Sequence, residues 1–292
     1  MGQHHPECPE RLQAIEDQLI LSRIDYFFTR ISPPLATEDQ LALIHTQEHI
    51  QRIKALSPKE GYSSIDGDTN MNPHTWNAAL RSAGGAIAAV DAVMQGEVKN
   101  AFTCLRPPGH HAEPDQAMGF CFFNNIAIAA KHAMEQYGLE RVAIVDFDVH
   151  HGNGTEAAFK DDPRVLMCSY FQHPFYPYTK TNPNLPNMLN VPLPAYSAGE
   201  AVREVIELQW LPRLREFKPQ FIFISAGFDA HREDDMGQMG LVEADYAWMT
   251  RQLMIIAKET AEGRIVSCLE GGYNLSALAR SVVAHLKELA DL

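Results

Sequence analysis

The chain has no apolar run approaching the roughly eighteen residues that a membrane-spanning helix needs. Its first residues, Met-Gly-Gln-His-His-Pro, lack the basic stretch and apolar stretch of a signal peptide, so none is expected. Cysteine is sparse. Cys8, Cys104, Cys121, Cys168 and Cys268 are odd in number and no two have CxxC spacing, which excludes a zinc finger and points to reduced thiols in a cytoplasmic protein. Basic residues are also few: 24 against 37 acidic ones, for a formal charge of −13. An acidic surface repels phosphate backbones and argues against a nucleic-acid partner. It would suit a cationic substrate, although solubility alone explains it as well. No repeat, low-complexity tract or Gly/Ser linker divides the 292 residues, so one domain spanning 1–292 is expected. With 46% apolar and 21% charged residues, a sizeable core is available and disorder is excluded as the main state.

Periodicity places the elements. Pro9 opens a helix with Leu12, Ile15 and Leu19 on one face, and Thr37 with Gln40 forms a capping box for a short second one. A long Ala/Gly-rich helix is expected at 74–94. From there strands alternate with helices: strands at 100–105, 141–147, 164–170, 221–225 and 264–269, helices at 125–137, 155–160, 243–261 and 275–289. Ser197 and Glu200 read as a capping box for a further helix reaching about 217, bent at Pro212. Strands that are continuous apolar runs separated by helices predict an α/β fold, a parallel sheet with helices on both faces.

In such a sheet, ligands bind beyond the carboxyl ends of the strands. After the first strand comes Arg106-Pro-Pro-Gly-His110-His111, and after the second Asp146-Phe-Asp148-Val-His150-His151-Gly-Asn153. Later strands lead into Ser225-Ala-Gly-Phe-Asp229 and Glu270-Gly-Gly-Tyr273. Each piece has an ordinary reading: a polar turn for the His pair, helix caps for Asp146 and Asp148, an Asx-turn for Asp229, a core position for Tyr273. Together those readings require four independent accidents at one edge of one sheet. The chemical reading needs one cause. Asp148 and His150, two apart in an extended segment, point to the same side and can reach one ion, with Asp229 as a third ligand. Two carboxylates and an imidazole make a divalent site that zinc suits, with a position left open for water. His110 and His111 are then candidates for acid–base work, with Asp146 and Asn153 holding their rings, and Tyr273 for donating to an oxyanion. The set describes metal-assisted amide hydrolysis.

On these residues the sequence resembles the histone deacetylase family, in segments 106–112, 119–124, 146–155, 225–230 and 269–275, with similarity from about residue 4 to the C-terminus. Asn153 in His-His-Gly-Asn-Gly, with Gly-Phe-Cys-Phe-Phe-Asn at 119–124, looks more like the class II branch and its bacterial relatives. The resemblance implies an arginase-like fold and zinc held by Asp148, His150 and Asp229. It implies His111 as general base and then acid, His110 as its electrostatic neighbour, Asp146 as acceptor from His110, and Asn153 where some members have Asp. Tyr273 would orient the acyl oxygen, and Phe120, with Gly119 beside it, and Tyr176 would wall an acyl-lysine tunnel. Many members also bind potassium; main-chain oxygens of Asp146, Asp148, His150 and Tyr170, with the side chains of Asp146 and Ser169, match that site. Met236 falls at a rim position that is Leu or Met in lysine deacetylases and Glu in a polyamine-selective member. The expected substrate is therefore an acetylated lysine peptide or protein in preference to an acetylated small amine, with Glu233, Asp234 and Asp235 read as a solvated acidic loop. Two rivals are weighed. A binuclear manganese ureohydrolase would need more carboxylates and has no use for the His pair, and a non-catalytic acyl-binding module would be expected to lose a ligand, the His pair or Tyr273. A homo-oligomer is left open.

Overall fold

The computed structural model describes residues 1–2, 4–180 and 182–292. Helices α1 (Glu10–Leu21), α2 (Glu38–Leu41) and α3 (Gln47–Leu56) come first, then a two-residue hairpin of β1 (Ser63–Ser64) and β2 (Asn70–Met71), and the long α4 (Thr75–Met94). The alternating part follows: β3 (Asn100–Thr103), α5 (Asn125–Tyr137), β4 (Val142–Asp146), α6 (Asn153–Phe159), β5 (Val165–Gln172), β6 (Met188–Leu193), α7 (Gly199–Val205), α8 (Leu211–Phe217), β7 (Phe221–Ala226), α9 (Glu243–Thr260), β8 (Ile265–Leu269) and α10 (Leu275–Leu289). Six strands form one parallel sheet in the order β3-β8-β7-β4-β5-β6. This is the parallel α/β sheet, covered by helices on both faces, that the sequence predicts. No helix of the described residues is long and apolar enough to cross a membrane.

The apolar strands are continuous because both faces are covered. On β4, Ala143 and Val145 pack with α1, α7 to α10, whereas Val142 and Ile144 pack with α4 and α5. Phe221 and Phe223 against Ile222 and Ile224 divide β7 the same way. A third cluster joins Leu41, Ile50, Ile53 and Met71 to the outer side of α4 and to Phe122 and Phe123. The cysteines are all unpaired.

Several local expectations hold. Thr37 and Gln40 cap α2 reciprocally, and α5 and α10 have the expected bounds. Others are corrected. Ser197 does not cap α7: the preceding turn takes its hydroxyl, which donates to the Pro194 carbonyl at 2.8 Å, and Ala198 stands at the N-cap with no side-chain bond. At Pro212 the helix is not simply bent. It widens into a π turn over Ile206–Trp210, because a proline has no amide to bond the carbonyl four residues back. Strand β6 is absent from the sequence reading, since Pro186, Pro192 and Pro194 mark that stretch as loop. It is an edge strand, where a missing amide costs no ladder bond on the open side. Helix α3, capped by Thr46, is likewise absent from that reading.

Candidate metal centre and active site

Sheet order decides which loops meet. Strands β3, β8, β7 and β4 are consecutive neighbours, so the four loops beyond their carboxyl ends converge on one rim. Asp148, His150 and Asp229 are all buried there, with one ligand atom from each within 4.8 Å of the others. Nδ1 of His150 lies 3.0 Å from Oδ1 of Asp148 and 3.2 Å from Oδ2 of Asp229. The backbone holds the other oxygens: Gly271 N donates to Asp148 Oδ2 and Val149 N to Asp229 Oδ1, both at 2.9 Å. Apart from that contact with the His150 ring, the buried Asp229 Oδ2 has no hydrogen-bond partner among the described residues. A Cβ at Gly227 or Gly271 would overlap the Asp148 and Asp229 carboxylates, so only glycine lets the backbone approach this closely.

The electrostatics point the same way. Burial and the neighbouring Asp148 push the Asp229 carboxyl up, to about 7. Burial opposes ionisation of Asp148 too, but the imidazoles of His110 and His150 outweigh it and hold that carboxyl below its ordinary range. Burial would lower His150, yet the two carboxylates raise it to about 10. Two buried acids and one orphaned oxygen demand positive charge at one point. A divalent cation held by two carboxylate oxygens and one imidazole nitrogen meets that demand, so the donor set fits a metal.

His110 and His111 stand beside this point, ring centroids 4.0 Å apart. His110 Nδ1 donates to Asp146 Oδ2 at 2.9 Å. Burial alone would favour its neutral form, but Asp146 and Asp148 raise it well above the ordinary histidine value. His111 goes the other way: burial, then His110 and His150, push it well below. Its tautomer follows from Asn153. The Asn153 Nδ2 donates to Glu113 Oε1 at 2.7 Å, which turns Oδ1 toward His111 Nδ1 at 2.8 Å. Nδ1 therefore carries the proton and Nε2 is left bare. The two rings are driven in opposite directions, His110 toward its cationic form and His111 toward its neutral one. Asp146 and Asp148 are not caps of α6, whose N-cap is Gly152.

The walls are aromatic. Gly119 and Phe120 form a two-residue hairpin turn between Met118 and Cys121, with φ of +57° and +69°. A phenylalanine at positive φ is strained, and Thr69 Oγ1 helps hold it by accepting from its amide at 3.0 Å. A Cβ on Gly119 would strike the His111 ring and reach within 3.0 Å of the Tyr176 hydroxyl. Tyr176 meets His111 edge-on at 5.2 Å, and Tyr273 meets Phe120 edge-on at 5.8 Å. Burial, with Asp229 and Asp148 nearby, keeps the half-buried Tyr273 hydroxyl protonated despite Arg11.

Ser169 lies opposite Asp146 across β4 and β5, its hydroxyl donating to Asn190 Oδ1 at 2.6 Å, while the Tyr170 hydroxyl donates to the Phe147 carbonyl at 2.9 Å. Met236 is half-buried. The solvated acidic loop is corrected at its centre: Asp234 is 4% exposed and accepts three backbone amides, because the turn folds its short side chain inward. Glu233 pairs with Arg280 at 2.9 Å.

Sequence reasoning missed four residues here. Phe175 stacks on the His150 ring at 5.4 Å; its place beside Tyr176 was the only signal. Glu270 accepts the amides of Gly109 and His110 at 2.7 and 3.1 Å, and burial pushes its carboxyl up to about 7. Its position at the end of β8 could have flagged it. Glu113 orients Asn153. Arg11 is fully buried, donating at 2.6 Å to the carbonyls of both Gly272 and Glu270. A charged residue within an amphipathic helix reads as solvent-facing, so no sequence signal marks it.

Known proteins resemble this chain along nearly its whole length. A family model described as the histone deacetylase domain matches residues 5–289. A probable deacetylase of Archaeoglobus fulgidus is 41% identical over 279 residues, covering 93% of this chain and 77% of that one. The polyamine deacetylase HDAC10 of Homo sapiens is 36% identical over 306 residues, covering 97% of this chain and 45% of its own length. Among solved structures, the crystal structure of the HDA15 HD domain superposes with a TM-score of 0.92 at 36% identity, over 100% of this chain and 84% of that one. With a match across nearly its whole length, this chain belongs to the histone deacetylase family.

Proposed function

We propose that the chain is a zinc-dependent amidohydrolase that removes acetyl or other short acyl groups from lysine side chains or related amines. The observation that carries this reading is a pair of adjacent histidines, one hydrogen-bonded to Asp146 and the other to Asn153, beside a buried two-carboxylate, one-imidazole donor set. Asp148, His150 and Asp229 would hold the ion. Zinc, when bound, polarises an acyl oxygen and acidifies water. The rest is the work of the chain itself. Nε2 of His111, bare and neutral, takes a proton from the attacking water and passes it to the departing amine. His110, kept cationic by Asp146, supplies fixed positive charge next to it. The Tyr273 hydroxyl donates to the acyl oxygen as negative charge grows there. Phe120 and Tyr176 flank the acyl chain and exclude water. A potassium ion held by Asp146, Ser169 and Tyr170 belongs to the same reading.

Acetyl-lysine is preferred over acetylpolyamine. Met236 offers an aliphatic stem an apolar contact and a distant ammonium no charge. Of the adjacent acids, Asp234 is committed to backbone amides and Glu233 to Arg280, which removes two of the three groups a polyamine would need. A polyamine substrate remains the second reading, favoured by the similarity to the human polyamine deacetylase HDAC10. The test is metal content together with kcat/KM over acetyl-lysine peptides, longer acyl-lysines and N8-acetylspermidine. Zinc-dependent turnover, abolished by a chelator and restored by zinc, is expected. No turnover of any acylated amine by zinc-loaded protein would overturn the reading.

A further inference from the structure

Tyr273 follows two glycines, and Gly272 has a φ of +113°, so its own backbone does little to fix it. Two buried charges compensate. Arg11 grips the carbonyls of Glu270 and Gly272 from one side. From the other, Asp234 Oδ2 accepts the amides of Tyr273 at 2.6 Å and Asn274 at 2.8 Å. Asp234 Oδ1 accepts the amide of Met236 at 3.0 Å. Asn274 closes the link by donating its side-chain amide to the Glu233 carbonyl at 2.9 Å, while its oxygen caps α10. The loop that carries Asp229 and Met236 is thus stapled to the loop that carries Tyr273. Burial pushes the Asp234 carboxyl up, and the three amide donors oppose that shift by favouring its anion.

We propose that Asp234 is a positioning residue for Tyr273, locking the hydroxyl donor to the loop that bears the metal ligand Asp229. The inference rests on the proposed deacylase reading for its catalytic consequence, and on the hydrogen bonds alone for the staple. Helix α10 already has its N-cap in Asn274, so a plain capping role for Asp234 is filled. A displacement of about 1 Å at a reacting group can cost on the order of a hundredfold. Loss of the staple should therefore lower kcat about ten- to hundredfold with little change in KM.

Residue-resolved amide exchange on the zinc-loaded protein tests the staple without any substrate. In the wild type, the Tyr273 and Asn274 amides should exchange at least about a hundredfold more slowly than unprotected loop amides. In Asp234→Ala, which removes both acceptor oxygens, they should speed up at least tenfold while the Val149 amide on Asp229 stays protected. Kinetics on an acetyl-lysine peptide then test the role. The kcat loss of Asp234→Ala should vanish in a Tyr273→Phe background, because the substitution acts through a hydroxyl no longer present. Fast exchange of Tyr273 and Asn274 in the wild type, unchanged exchange in the variant, or a kcat loss that adds in full to Tyr273→Phe would overturn the proposal. If the wild type hydrolyses no acylated amine, the deacylase reading falls, and the exchange data still decide whether the staple exists.

Discussion

Replacing Asn153 by Asp tests why this chain carries an amide behind His111. Seen from the histidine alone, a carboxylate would be the stronger partner. Glu113 makes the difference: its Oε1 lies 2.7 Å from the Asn153 Nδ2, so Asn153→Asp sets two carboxylates face to face. At about 3 Å and an effective dielectric of ~20, their repulsion is about 5 kcal/mol. Glu113 is half-exposed and water screens it, so we expect a net cost of about 2 kcal/mol. At ~2.1 cal/mol/K per residue, a chain of 292 residues would lose about 3 °C in Tm. The sign with pH follows from the paired acids. Each raises the other's carboxyl pKa in the folded state, so the penalty is full above that raised value and fades as pH falls through it. The Tm gap should be wider at pH 8 than at pH 5. Glu113→Gln should close it, since Gln can donate to the new carboxylate. The same double variant should shift the acid limb of kcat/KM upward, because a carboxylate at position 153 favours protonated His111. In the wild type that limb should lie below the ordinary histidine value, given the burial and neighbouring imidazoles that hold His111 down. A gap independent of pH, or one that Glu113→Gln leaves open, would refute the reasoning.

Asp229→Ala should remove both metal and activity, as two remaining ligands hold zinc poorly; full zinc occupancy by elemental analysis would exclude Asp229 as a ligand. Tyr273→Phe should lower kcat by about 10²–10³ with affinity less affected, and His111→Ala should be as severe while zinc content stays intact. Met236→Glu should raise kcat/KM for N8-acetylspermidine relative to an acetyl-lysine peptide; an unchanged ratio would take Met236 out of selectivity. His45 and His285, both held neutral at about 3 by burial, should cost stability below pH 6.5. The unfolded chain gains protons there that the folded one refuses, at up to about 1.4 kcal/mol per pH unit for each. His285→Gln should halve that part of the slope in denaturant titrations between pH 6.5 and 5, and an unchanged slope would count against it.

Much of the molecule was legible in the chain itself. Apolar runs at 141–147 and 221–225 read as strands buried on both faces because they lack the alternation of a half-exposed sheet, and β4 and β7 lie there. Cap chemistry marks α2, and the local sequence pattern marks α5 and α10, since both signals act within a few residues. The spacing of Asp148 and His150 announced a shared ligand point for the same local reason. What the sequence could not contain is which loops touch. The order β3-β8-β7-β4 brings Asp229 to His150, Glu270 to the amide of His110, and Asp234 to that of Tyr273, across separations no periodicity records. The buried charges Arg11 and Asp234 were passed over or read as solvated, because a charge is buried only when tertiary neighbours supply its partners. The edge strand β6 was hidden by prolines that a central strand would reject and an edge accepts. Local sequence thus determined the elements and the chemical groups, and long-range packing decided their protonation, their orientation and the staples between them.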